Sequence, residues 1–188
     1  MFEITVKAEA AVETVAYTFD FGTVQKKGYG AGDLVFSNTN GDAFTLNKDR
    51  VKISTSTFAP WIESAGYLVL APISTAKLSI IEFDFTAATY ANASKIEFDF
   101  AVSNQNNHDQ TVALAGSSFR VEKLDGENWV TVGDDVFSQL TKGALTTVSI
   151  NITGAGTYRL VYEAPAATST KNTDYAIGVD NLKIYVLN

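Results

Sequence analysis

Four acids at fixed spacing are the first chemistry the sequence offers. Ile81-Glu82-Phe83-Asp84-Phe85 and Ile96-Glu97-Phe98-Asp99-Phe100 are near-repeats, offset by 15 residues. Alternating a large apolar residue with an acid is the period-two pattern of a strand with one buried and one wet face. Asp is depleted in strands, and like charges across a pair repel, so the acids call for a reason. Paired carboxylates about 5–10 Å apart are the machinery of glycoside hydrolysis. The same oxygens also suit a cation. A solvated sheet face, neutralised by Lys77, Lys95 or neighbouring strands, accounts for them with no activity at all. Catalytic carboxylates need aromatic subsites beside them, and none interleaves here; the solvated face is the stronger reading.

Other reactive constellations are thin. His108 is the single histidine, next to Asp109 in the polar run Ser103–Gln110. No Gly-x-Ser-x-Gly elbow accompanies it, so a hydrolytic triad lacks its scaffold. There is no cysteine, which excludes disulfides, thiol catalysis and thiolate metal sites. Gly28-Tyr29-Gly30-Ala31-Gly32 lacks the spacing, the Lys-Ser/Thr and the helix of a phosphate loop; these are turn glycines.

Sugar recognition asks for less: a flat aromatic against the apolar face of a pyranose, with amides and acids for its hydroxyls. The loop candidates are Trp61, Tyr67 and Tyr90, with Asn107, His108 and Asp109 as polar partners. Trp61 follows Pro60 in a turn-rich stretch and is either a platform or a plug folded onto the core. Trp129 directly follows a tight turn within a strand and reads as packing.

The elements that must position these residues are strands. The two acidic segments are expected to return antiparallel through Thr86–Ser94. Leu34–Phe36 and Ala43–Leu46 flank the turn-rich Ser37–Asp42, and Ser118–Leu124 and Trp129–Val132 flank Asp125-Gly126; both read as hairpins. Leu145–Ile152 and Thr157–Glu163 read as a third. Tyr67–Ala71 is short and apolar throughout, as a strand buried on both faces would be. Asp134–Leu140 is the one helical turn. The alternation slips at Asp180-Asn181, the mark of a bulge. Some ten to thirteen short strands predict an all-β, antiparallel β-sandwich over residues 13–188. Residues 1–12 read as a first strand or the tail of an upstream domain.

The last third carries a resemblance. Phe119 to Trp129, then Gly156-Thr157-Tyr158-Arg159, then Ile177-Gly178-Val179-Asp180-Asn181-Leu182 resemble the strand order of extracellular jelly-roll, galactose-binding-like and carbohydrate-binding modules. That resemblance implies a jelly roll and a glycan or cell-surface polysaccharide as partner. It also implies an optional structural calcium, with Asp180 as the one ligand the resemblance carries over; Asp20 or Asp42, with backbone carbonyls near Gly22, could complete the shell.

Composition sets the outer limits. The formal charge is −7, from 14 Lys and Arg against 21 Asp and Glu, with no basic cluster for nucleic acid. Membrane insertion is not expected, because no apolar run approaches the length of a spanning helix. The sequence therefore predicts a non-catalytic carbohydrate-binding or adhesion module, part of a larger secreted or cell-surface bacterial protein. The alternatives are a structural or protein-interaction sandwich and, more distantly, a glycan-active enzyme.

Overall fold

The computed structural model describes residues 10–19, 32–37, 43–54, 67–73, 75–102, 116–140, 144–164 and 176–188, with the backbone alone at 33–37, 43–46, 52–54 and 102. Within them the alternating segments form twelve strands: β1 (Glu13–Thr18), β2 (Gly32–Ser37), β3 (Ala43–Asp49), β4 (Val51–Ser54), β5 (Tyr67–Leu70), β6 (Leu78–Phe85), β7 (Ala93–Val102), β8 (Ser118–Asp125), β9 (Asn128–Val132), β10 (Thr146–Asn151), β11 (Gly156–Glu163) and β12 (Ile177–Leu187). Sheet A runs β10-β7-β12-β5-β4, with β1 added on β12; sheet B runs β2-β3-β6-β11-β8-β9. Neighbouring strands are antiparallel throughout. This is an antiparallel β-sandwich of jelly-roll type.

The inner faces meet in one aromatic core. Phe119 of sheet B packs edge-on against Phe98 and Phe100 of sheet A, with centroids 5.3 and 5.4 Å apart. Phe19, just beyond β1, reaches Phe83 of β6 at 5.4 Å. Edge-to-face geometry sets the positive rim of one ring against the negative face of the next, adding to the burial of each. The short 3-10 turn Phe137–Gln139, at the expected helical turn, stacks Phe137 on Tyr162 at 5.8 Å.

Two expected hairpins form and two do not. β2 pairs with β3, and β8 pairs with β9 through a turn where Gly126 takes φ 61°, a left-handed conformation that suits glycine. The near-repeat, by contrast, does not return on itself. β6 lies in sheet B and β7 in sheet A, and the Ala88–Tyr90 turn falls between them. β10 and β11 likewise belong to opposite sheets. The reason is burial: Val148 and Ile150 of β10 and Tyr158, Leu160 and Tyr162 of β11 all enter one buried core, from opposite sheets. Two apolar faces lose more water when stacked than when laid side by side.

Chain crossings between sheets have their own fixtures. Between β3 and β4, Arg50 takes φ 57° and its guanidinium donates twice to the Ala71 carbonyl, at 2.6 and 3.1 Å. β5 is buried on both faces, as expected: Leu68 and Leu70 join the main core, while Tyr67, Val69 and Ala71 form a second cluster with Ala101 and Ala176. The bulge also stands. The register of β12 against β7 shifts between Asp180 and Lys183, with Asn181 at φ 50°. Val12 already exchanges backbone hydrogen bonds with Asn188, so pairing to the closing strand begins just ahead of β1.

Candidate functional site

Alternation fixes which side chains leave the core, and register lines them up. On the outer face of sheet B, Asn47, Glu82, Arg159, Glu122 and Thr131 occupy one row across five neighbouring strands. Strands lie about 4.8 Å apart, so the row runs roughly 19 Å across these five strands. Every position in it is polar.

The row is wired together by charge. Arg159 sits between two acids, opposite Glu82 on β6 and Glu122 on β8. Its Nε and Nη2 both donate to Glu122 Oε2, at 2.6 and 2.5 Å. Arg120 Nε donates to the other oxygen of Glu122 at 2.7 Å, and its Nη1 reaches Glu163 at 3.1 Å. Asn47 Nδ2 donates to Glu82 at 3.2 Å. Glu122 is only 5% exposed. Burial pushes its carboxyl up, but the hydrogen bonds from Arg120 and Arg159 outweigh that and hold it below the usual carboxylate value.

Over this row lies the one large aromatic of the outer face among the described residues. The two-residue turn sets Trp129 opposite Leu124, and therefore on the same face as Glu122. Trp129 is half-buried and outside the apolar core. Its ring meets the Arg159 guanidinium at 4.0 Å from centroid to Cζ. Trp129, read as packing, does pack, but against Arg159 on the outer face and not in the core: hairpin register turns it outward. That signal was present in the sequence, since Asp125 to Asn128 closes the turn and fixes the parity of every residue beyond it. At the far side of the row, Asn47, Lys48, Asp49, Ile80 and Glu82 line a shallow cavity of about 160 Å³.

The acidic stripe divides between the two surfaces. Glu82 and Asp84 leave sheet B, whereas Glu97 and Asp99 leave sheet A. On the sheet A face, Glu97 accepts from Lys183 and Tyr185 at 3.1 and 3.0 Å and from Ser149 at 3.2 Å. Burial raises the Glu97 carboxyl, and these donors together bring it below its usual value. Asp99, 8% exposed, accepts from Thr147 at 2.5 Å and Asn181 at 2.6 Å. Lys95 pairs with Glu13 at 2.9 Å and covers the Tyr185 ring at 3.8 Å. Of the neutralising partners expected, Lys77, Lys95 or neighbouring strands, the neighbouring strands supply them here: Lys183 and Tyr185 of β12 with the Ser149 and Thr147 hydroxyls of β10.

The residues singled out from sequence fare unevenly. Trp61, Asn107, His108, Asp109, Asp20 and Asp42 lie outside the described residues. Tyr67 is the first residue of β5 rather than a loop residue, and it is fully buried, so its ring is no surface platform. Tyr90 is half-buried at the end of its 3-10 turn, with its ring 5.1 Å from Phe85. Asp180 stands at the bulge, opposite Asp99. Among the described residues no group of three or more His, Cys, Asp or Glu side chains is placed to hold a metal ion.

Comparisons place the fold but no family. No protein-family model matches the chain, and no curated protein matches it. Among solved structures, the chain resembles the N-terminal CBM22-1–CBM22-2 tandem of Paenibacillus barcinonensis Xyn10C, with 12% identity and a TM-score of 0.50. That match covers 96% of this chain and 47% of the tandem. The C-terminal family 22 carbohydrate-binding module of Clostridium thermocellum Xyn10B matches with 10% identity, 92% and 94% coverage and a TM-score of 0.46. The module TmCBM27, studied for specific mannan recognition, matches with 14% identity, 94% and 99% coverage and a TM-score of 0.43. At such identities the likeness is one of fold, a β-sandwich of the kind found in carbohydrate-binding modules.

Proposed function

We propose that this chain is a non-catalytic carbohydrate-binding module whose ligand lies on the outer face of sheet B. The observation that carries the reading is Trp129, a half-buried indole outside the core, held against Arg159 beside a row of hydrogen-bonding side chains. An indole left partly wet loses hydrophobic free energy, and a pyranose face laid on it recovers that loss. Asn47, Glu82 and Thr131 supply donors and acceptors for hydroxyls along the same row. The remainder of the proposal is a secreted or cell-surface bacterial protein, of larger size, in which the module serves attachment to glycan or polysaccharide. A structural calcium held by Asp180 and Asp20 is a subsidiary proposal, tested by melting the protein with and without a chelator.

Hydrolysis is the weaker chemistry for this face. Glu82 and Glu122 flank Arg159 two strands apart, with backbones about 10 Å from each other, on the wide side for an inverting pair. A general acid, however, needs a raised pKa, and Glu122 is held low by two guanidinium groups. A second reading, a structural or protein-interaction domain, is favoured by the mutual pairing of Arg120, Glu122, Arg159 and Glu163, which satisfies the face with nothing bound.

The test is a glycan and polysaccharide array with the purified protein and its Trp129→Ala variant. Discrete hits that vanish in the variant support the proposal. A blank array moves the assignment to the structural or protein-interaction domain. Hits lost in Trp61→Ala but kept in Trp129→Ala would place the binding site in the 55–66 segment.

A further inference from the structure

An arginine beside a tryptophan on an open sheet face looks, at first sight, like a receptor for an acidic sugar. The pairing around it argues otherwise. Building on the glycan-binding reading above, we infer that this face selects uncharged glycans and rejects uronates and sulfated sugars, with Arg159 acting as a positioning residue for Trp129 rather than an anion receptor.

Arg159 is committed on two sides. Nε and Nη2 are bound to Glu122, and the guanidinium plane is taken up by the indole. Handing this cation to a ligand carboxylate would strip a buried acid, 5% exposed, of one of its two partners. A buried charge deprived of a partner is strongly unfavourable, so the exchange does not pay. Arg120 offers no alternative, since it bridges Glu122 and Glu163. Around these two cations the same outer face presents Asp49, Glu82, Asp84, Glu122 and Glu163, so an arriving anion meets an excess of like charge. Juxtaposed like charges disfavour a partner more strongly than a good contact favours one. A neutral pyranose meets no such barrier, and its hydroxyls can donate to Glu82 and Asp84.

The experiment is the full chain on an array bearing neutral, uronate-containing and sulfated glycans, read at low and at moderate salt. Hits confined to neutral glycans, with binding little changed by salt, are the expected result. For a matched pair differing only in a carboxyl group, the acidic member should bind roughly 10-fold more weakly. A Glu82→Gln/Asp84→Asn double variant should shrink that ratio, because both sites are polar surface positions and the change preserves shape. An acidic or sulfated glycan among the hits, or a ratio unmoved by the double variant, overturns the inference and leaves glycan binding standing. An array with no hits at all overturns the parent reading, and this one with it. An Arg159→Lys variant, made in a Trp61→Phe background so that Trp129 is the sole indole, separates the roles: a positioning residue predicts a red-shifted, more quenchable emission with the neutral preference kept, and unchanged emission overturns the positioning role.

Discussion

The guanidinium of Arg159 lies 4.0 Å from the centre of the Trp129 ring, and Glu122 holds it there. Three neighbouring strands thus fix one indole. A tryptophan on an edge strand would otherwise sample several rotamers, and ordering it at the moment of binding would cost affinity. The Glu122–Arg159 pair makes that arrangement in advance.

Glu122 should therefore matter to stability as well as to the site. Glu122→Gln keeps the shape but removes the charge that two arginines share, and should cost roughly 1–3 kcal/mol in denaturant unfolding. A loss within error would show that Arg120 and Arg159 are equally content with solvent.

The same carboxyl sets a pH window. Glu122 and Glu97 both titrate below their ordinary value of 4.5 in the folded chain. A depressed carboxylate contributes stability that is complete above its unfolded pKa and lost as pH falls through the folded one. The melting temperature should hold steady from neutrality down to about pH 5 and then fall. Glu122→Gln should flatten part of that fall. A melting temperature that rises on acidification would contradict the pairing.

Core and bulge offer independent checks. Phe119 is fully buried and touches the aromatics of the opposite sheet, so Phe119→Ala should cost about 3–5 kcal/mol and lower expression.

Asn181 combines a left-handed backbone with a 2.6 Å hydrogen bond to Asp99. Asn181→Ala should lose both and cost about 1–3 kcal/mol. Asn181→Gly keeps the backbone freedom and should recover part of the loss; equal losses in the two variants would remove the backbone from the account.

Alternation alone makes the strands and their faces legible. Ile81, Phe83 and Phe85 turn inward as their spacing says, and the slip at Asp180-Asn181 is a bulge. What period two cannot state is which sheet a strand joins. The segment 86–92 is long enough to turn back or to cross over, and only the competition among apolar faces decides that β6 and β7 enter opposite sheets rather than pair. The same ambiguity covers β10 and β11, whose spacing reads as a hairpin although they join opposite sheets. The outer-face site was half legible. Glu82 stands out by its acid in a strand, but Arg159, opposite it in register, is 77 positions away on a strand whose neighbour the pattern does not name. Trp129 was within reach of hairpin arithmetic, and its proximity to the turn obscured its parity.

The central claim is that Trp129 is the platform on which a glycan rests. The most direct measurement is calorimetric titration of the strongest array hit into the native protein and into Trp129→Ala, with melting curves for both. The account predicts at least a roughly 10-fold loss of affinity, as for an aromatic hot spot, with a melting temperature nearly unchanged because the side chain lies outside the core. Equal affinity in two equally folded proteins would contradict it, and would remove the outer face of sheet B as the binding surface.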